Sequence, residues 1–191
     1  MAMFSINLSK YSLENLENTH YGDLKDDDII KLTNAFYIEN IAPTIPGMKF
    51  NWENVSKLLN LSKCRRCGRC CRPSQKALDN PGIMVYDEDL ITISKHTKHS
   101  FKALKRMTKI NDNPVYNVGA RYLALPCMFY IQENRFCKIY SYRPLICKIY
   151  PVSDSPEHDI TVDVQCDFGK EIYIGALKYL RDFDKRTNIK K

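Results

Sequence analysis

The sequence predicts a small α+β domain stapled by metal, with a helical extension at its N-terminus. Three observations predict it. Apolar residues recur at helical spacing near both ends, and short alternating runs read as strands between them. In addition, four of the eight cysteines of this 191-residue chain crowd into one run, Cys64-Arg-Arg-Cys67-Gly-Arg-Cys70-Cys71. Thiols packed this closely in a chain with no export signal bind metal far more often than they fill a core.

Residues 1–60 hold no cysteine and are read as the helical extension. Asp26-Asp-Asp28 precedes an apolar pattern at Ile29, Leu32 and Phe36, as suits acids at the positive end of a helix. Pro43 and Pro46-Gly47 break the chain before a short helix carrying Trp52, Val55, Leu58 and Leu59. The cysteine run follows, and Gly68 within it allows a tight turn that aims N–H groups at sulfur. Residues 61–185 are read as the metal-binding domain and 186–191 as a basic tail.

Inside that domain, Ile83–Tyr86 reads as a strand and Asp87 as the cap of a helix through Leu90, Ile91 and Ser94. A second helix near Ser100–Ile110 buries Phe101, Leu104 and Met107 and shows Lys102, Lys105, Arg106 and Lys109 outward. His96 and His99, between the two helices, read as a solvated loop pair. Strands are expected near Tyr116–Ala124 and Asp159–Val164. An amphipathic helix from about Phe168 to Lys185 closes the chain, with Ile172, Ala176, Tyr179, Leu180 and Phe183 on one side.

Composition bounds the chemistry. The N-terminus lacks a basic start followed by a long apolar stretch, and no apolar run approaches membrane-spanning length. A cytoplasmic protein with reduced thiols and no membrane association is therefore expected. A disulfide framework is the competing reading of eight cysteines, but neighbours such as Cys70 and Cys71 seldom bridge without strain. The formal net charge is +7. Arg65, Arg66, Arg69, Arg72, Lys138, Arg143 and Lys148 all sit beside cysteines, where cations lower thiol pKa values and compensate thiolate charge. Nucleic acid remains open as a partner on this count without being favoured, and a protein partner is left open too.

Cys64-x2-Cys67-x2-Cys70 sets three thiolates on one tight loop, which suits three corners of an iron–sulfur cube or three ligands of a tetrahedral zinc. Cys71, as a neighbour of Cys70, serves a different site or stands behind the ligands. Cys127, Cys137 and Cys147 follow at even spacing, then Cys166, so folding must gather widely separated segments. All eight are candidate ligands, with Cys64, Cys67, Cys70 and Cys147 the leading four. Arg143, fixed ahead of Cys147 by Pro144, can donate N–H bonds to a cofactor sulfide or a carboxylate. No second Cys-x2-Cys knuckle, no phosphate-binding glycine cluster and no nucleophile triad occur, so no catalytic residue is assigned.

These residues resemble the CxxCxxCC (YkgJ-type) cysteine-cluster proteins, a zinc- or iron-chelating family. The resemblance rests on Cys64-x2-Cys67-Gly-x-Cys70-Cys71 and Asp87-Glu-Asp-Leu. It continues through Leu125-Pro-Cys127-Met-Phe-Tyr, Arg135-Phe-Cys137-Lys-Ile-Tyr, Tyr142-Arg-Pro-Leu-Ile-Cys147-Lys-Ile-Tyr-Pro151 and Cys166-Asp-Phe-Gly169. It covers about residues 60–180 and implies that all eight cysteines occupy family positions. A flagellin lysine methylase is similar in its cysteine region and carries iron–sulfur, which raises the iron reading without transferring its activity. The expected cofactor is an iron–sulfur cluster, 4Fe–4S foremost, with zinc the alternative. A redox or protein-modifying enzyme and a zinc-stabilised nucleic-acid module using Lys102, Lys105, Arg106 and Lys109 are the other readings.

Overall fold

The computed structural model describes residues 21–72, 82–111 and 119–188. These divide into two units, one formed by residues up to Arg65 together with those from Pro151 onward, the other by Arg66–Tyr150. The mixed α+β class expected from the sequence is what the chain adopts, with six α-helices and several short antiparallel strands among the described residues. None of these helices is long and apolar enough to cross a membrane.

The first unit is built around its last helix. Helix α1 (Asp26–Glu39) begins on its three acids, Asp28 accepting from the Lys25 N–H at 3.2 Å, and ends at Asn40 in left-handed backbone. Strand β1 (Thr44–Lys49) follows, where the sequence shows only a Pro-Gly break in a helical region. The pairing explains the discrepancy: β1 lies antiparallel to a later strand, and its register shifts between Ile45 and Lys49, so Pro46 and Gly47 sit in an irregularity of the ladder. Helix α2 (Trp52–Leu59) starts on the Asn51 side chain, which accepts from the Asn54 N–H at 2.9 Å. Val55 and Leu58 are buried, whereas Trp52 at the start of the helix is 65% exposed.

Strands β7 (Val152–Asp154) and β8 (Asp159–Val162) complete a sheet of order β1-β8-β7. Helix α6 (Asp167–Asn188) packs against α1, α2, β1 and β8. Ile172, Tyr173, Ala176 and Leu177 form its inner face, and Tyr173 meets Phe36 edge to face at 5.9 Å. Tyr179 and Phe183, expected on that face, are instead exposed, because the buried stripe stops one turn earlier.

The second unit carries most of the cysteines. Its three-stranded sheet has order β2-β4-β3, all antiparallel: β2 (Ile83–Val85), β3 (Thr108–Ile110) and β4 (Arg121–Leu123). Helices α3 (Asp87–His96) and α4 (Phe101–Met107) pack on each other, and Ser100 caps α4 by accepting from the Ala103 N–H at 3.2 Å. The helix expected to reach Ile110 therefore turns into a strand three residues earlier, which leaves Met107 at 44% exposure instead of buried. Of the strand expected over 116–124, residues 116–118 lie outside the described residues and 121–123 form β4. The hairpin β5 (Tyr130–Ile131) and β6 (Phe136–Cys137) and helix α5 (Leu145–Ile149) complete the unit.

Leu90, Ile93 and Leu104 are fully buried in its core, each contributing about 1.5–3 kcal/mol by leaving water. The same core includes Cys71, Cys127, Phe129 and Ile139, with Cys70, Cys137 and Cys147 packed against it. The thiol cluster is thus an edge of the hydrophobic core.

Candidate metal centre

Three chain segments bring thiols together in the second unit. In the first, Gly68 adopts φ +79° and leads into a 3-10 turn over Arg69–Cys71, closed by the Cys71 N–H donating to the Gly68 carbonyl at 3.0 Å. A Cβ on Gly68 would stand 2.1 Å from the Tyr130 Oη, so both the backbone angle and the Tyr130 ring demand glycine here. Arg72 turns back to donate to the Cys67 carbonyl at 3.0 Å. The second segment is docked onto the first by the Cys127 N–H, which donates to the Cys71 carbonyl at 2.8 Å. Its hairpin delivers Cys137 opposite Tyr130.

The third segment is α5, carrying Cys147. Its N-terminus is held by Asp89 of α3, whose carboxylate accepts from the Leu145 N–H at 3.0 Å and from the Tyr86 N–H at 3.0 Å. Asp89 thus ties α3 and α5 together, a role the sequence, which reads Asp87 as the helix cap, does not show. Nearby, Tyr142 donates to carbonyls of His96 and Lys138, and its ring stacks on His96 at 4.6 Å. Of the two histidines expected as a solvated loop pair, His96 is exposed but ends α3, while His99 is half-buried and meets Phe129 edge to face at 6.2 Å.

Cys70 and Cys71 sulfurs lie 3.7 Å apart. The Cys71 thiol bonds to Cys127 and to Cys70, which with burial pushes its own pKa far up. The same bonds hold Cys70 below its ordinary value and bring Cys127 down to about 7. Burial raises Cys137 and raises Cys147 strongly, and the charges of neighbouring Cys70 and Cys127 push both further. Cys67 also acts on Cys70 through its charge. Six sulfurs therefore sense one another inside this unit, and each thiolate formed makes the next more costly unless a cation joins them.

Arg143 is a nearby counter-charge, a smaller influence than burial that favours thiolate at Cys70, Cys137 and Cys147. Its guanidinium lies 4.0 Å from the Tyr140 ring centre, and that of Arg66 lies 4.5 Å from the same centre. The Arg143 Nε is buried and meets no acceptor among the described residues.

The remaining two cysteines belong to the first unit. Ser62 and Arg65 both bond the Glu171 carboxylate, so the stretch holding Cys64 is anchored to α6. Cys166 is buried at the head of that helix, its carbonyl accepting from the Lys170 N–H at 2.9 Å. All eight cysteines are free of disulfides. Among the described residues, no three Cys, His, Asp or Glu side chains are grouped closely enough to hold one ion.

By their chemistry, soft thiols with a cation nearby, these donors suit a thiolate-bound metal group, which would have to draw them closer together. Buried Cys71 and Cys127 and half-buried Cys70, Cys137 and Cys147 share one edge of the core, and Arg143 supplies a cation close to three of them and an N–H unsatisfied among the described residues. An anionic sulfur acceptor there would satisfy the one buried donor left without a partner among the described residues.

A model of the CxxCxxCC family, described as "Putative zinc- or iron-chelating domain", matches residues 63–167, more than half of the chain. The chain belongs to the CxxCxxCC family. All eight cysteines fall inside the matched span. Outside that family model, an uncharacterized protein of Methanocaldococcus jannaschii is 33% identical over 94 residues, 47% of this chain. The match covers 44% of that relative, so this chain spans less than half its length. No solved structure matches this CxxCxxCC chain.

Proposed function

We propose that this CxxCxxCC protein binds an iron–sulfur cluster through the thiols of its second unit. The observation that carries the reading is the cluster of core-packed thiols with a nearby Arg143 whose buried Nε–H has no partner among the described residues. Five packed sulfurs, with Cys67 acting on Cys70 through its charge, supply the four thiolates that such a cluster takes and leave one behind them. Arginine N–H groups beside cluster sulfur tune potential and retention, which gives the orphaned donor a purpose. Cys70, Cys127, Cys137 and Cys147 are the favoured ligands, with Cys71 bonded behind Cys70 and Cys127. Bound there, such a cluster supplies one-electron transfer or a structural staple.

Zinc is the second reading, and one distance favours it. Tetrahedral zinc with Zn–S near 2.3 Å spaces its sulfurs about 3.8 Å apart, close to the 3.7 Å between Cys70 and Cys71. Metal and acid-labile sulfide analysis on protein purified without air, with its visible spectrum, separates the two. Brown protein with iron and sulfide in equal amounts supports the cluster. Colourless protein with stoichiometric zinc ends that reading.

A further inference from the structure

We propose that a cleft between α4 and β4 binds the phosphodiester backbone of single-stranded nucleic acid. The cleft, of about 560 Å³, is lined by Phe101, Lys102, Lys105, Arg106 and Arg121. Four cations and one aromatic ring make up its wall, and no carboxylate contributes to it. The sequence around it is one-sided: from Leu90 to Asn111 there are six lysines and arginines and no acid.

Local structure explains how the cations converge. Lys102, Lys105 and Arg106 are three and four residues apart on α4, so their side chains project from one face. Arg121 joins them from β4, held by its bond to the Thr108 hydroxyl at 3.3 Å. These four differ in how they are engaged. Lys105 is already spent, its ammonium 2.8 Å from the Asp87 carboxylate and 5.2 Å from the Phe101 ring centre. Lys102, Arg106 and Arg121 pair with no carboxylate among the described residues. Lys109, which the sequence grouped with the helix cations, is in β3 and does not line the cleft.

Three cations with no carboxylate partner among the described residues, beside an aromatic ring, match what single-stranded nucleic acid presents: regularly spaced phosphates and flat faces that stack on rings. The open form of the cleft suits a strand passing across it better than a small ligand enclosed on all sides. Phosphate contacts by these cations and stacking on a ring carry no sequence information, so binding is expected to tolerate any sequence.

The test is fluorescence anisotropy of the metal-loaded full chain with a labelled mixed-sequence oligonucleotide of about 12 nucleotides. Neutralising three phosphates predicts a salt slope near −2, so affinity falls about twentyfold between about 50 and 200 mM salt. Combining Lys102→Gln, Arg106→Gln and Arg121→Gln is expected to flatten that slope and weaken binding at least about tenfold. Lys31→Gln on α1 serves as the control and leaves the curve unchanged. Arg106→Gln alone, at an exposed position, keeps the test decisive if the triple variant loses fold or metal: it should lower the slope by about 0.7. Three results overturn the proposal: no binding at low salt, equal binding by Arg106→Gln and the parent, or complete displacement by polyglutamate at matched charge. The last would assign the cleft to an acidic protein surface. None of these results bears on the metal reading, because none of the substituted residues is a thiol or touches one.

Discussion

Replacing Gly68 by alanine strikes the loop that sets Cys67, Cys70 and Cys71, and its cost can be worked from two separate terms. The residue has φ +79°, and a non-glycine residue in left-handed backbone costs about 1–2 kcal/mol. An added Cβ would also lie 2.1 Å from Tyr130 Oη and 2.3 Å from Cζ, closer than any real contact. Tyr130 is half-buried against the core, so moving its ring adds about 1–3 kcal/mol, the range for overpacking. Gly68→Ala should therefore destabilise the protein by about 2–5 kcal/mol. In a Tyr130→Ala background only the backbone term survives, about 1–2 kcal/mol. Denaturant unfolding of all four proteins under argon gives the coupling, expected at about 1–3 kcal/mol. Metal content is followed alongside, since a variant that loses the centre loses its binding energy too. Wild-type stability for Gly68→Ala, or an identical cost in both backgrounds, would refute the reasoning.

Other perturbations follow from the same geometry. Arg143→Lys keeps the charge but removes the Nε–H and the flat contact with Tyr140; metal retention against a chelator should drop about 10–100-fold, and unchanged retention would remove Arg143 from the site. Asp89→Ala frees the Leu145 and Tyr86 N–H groups, and should cost about 1–3 kcal/mol of unfolding free energy, with Asp89→Asn recovering part of it. Cys127→Ser and Cys147→Ser should each leave the purified protein well below the metal stoichiometry of the parent by elemental analysis. Asp26, exposed at the surface, is held down to about 2 by hydrogen bonds from Lys178 and then Arg181. Its ordinary value of 3.8 lies higher, so its contribution is complete above that pH and fades as pH falls towards about 2. The stability gap between parent and Asp26→Asn should accordingly close over that interval, and a gap independent of pH would contradict the pairing.

The elements with clean periodicity were legible from residues alone. Ile160 and Val162 alternate into a buried face, and Asp26-Asp-Asp28 opens a helix as charge at a positive helix end requires. What escaped was context. β1 hides behind Pro46-Gly47 because its pairing partner lies more than a hundred residues on, and local propensity cannot see a ladder across that gap. Met107, Tyr179 and Phe183 fit their helical stripes yet stay exposed, since a stripe is buried only as far as its neighbours extend. At the site, the run Cys64–Cys71 signalled metal through spacing. The sequence could not show that Cys70, Cys71, Cys127, Cys137 and Cys147 would share one patch, or that Cys64 and Cys166 would fall in the other compact unit. Nor could it single out Asp89 and Tyr130, whose roles arise only when α5 and the Gly68 loop are folded against them.

X-ray absorption at the metal edge of protein purified without air reads the bound centre's neighbours directly. The account predicts sulfur scatterers alone in the nearest shell, about four per metal, with short iron–iron scattering behind them if the cluster reading holds. A shell of nitrogen and oxygen, or protein that emerges metal-free with every thiol open to alkylation, would contradict it.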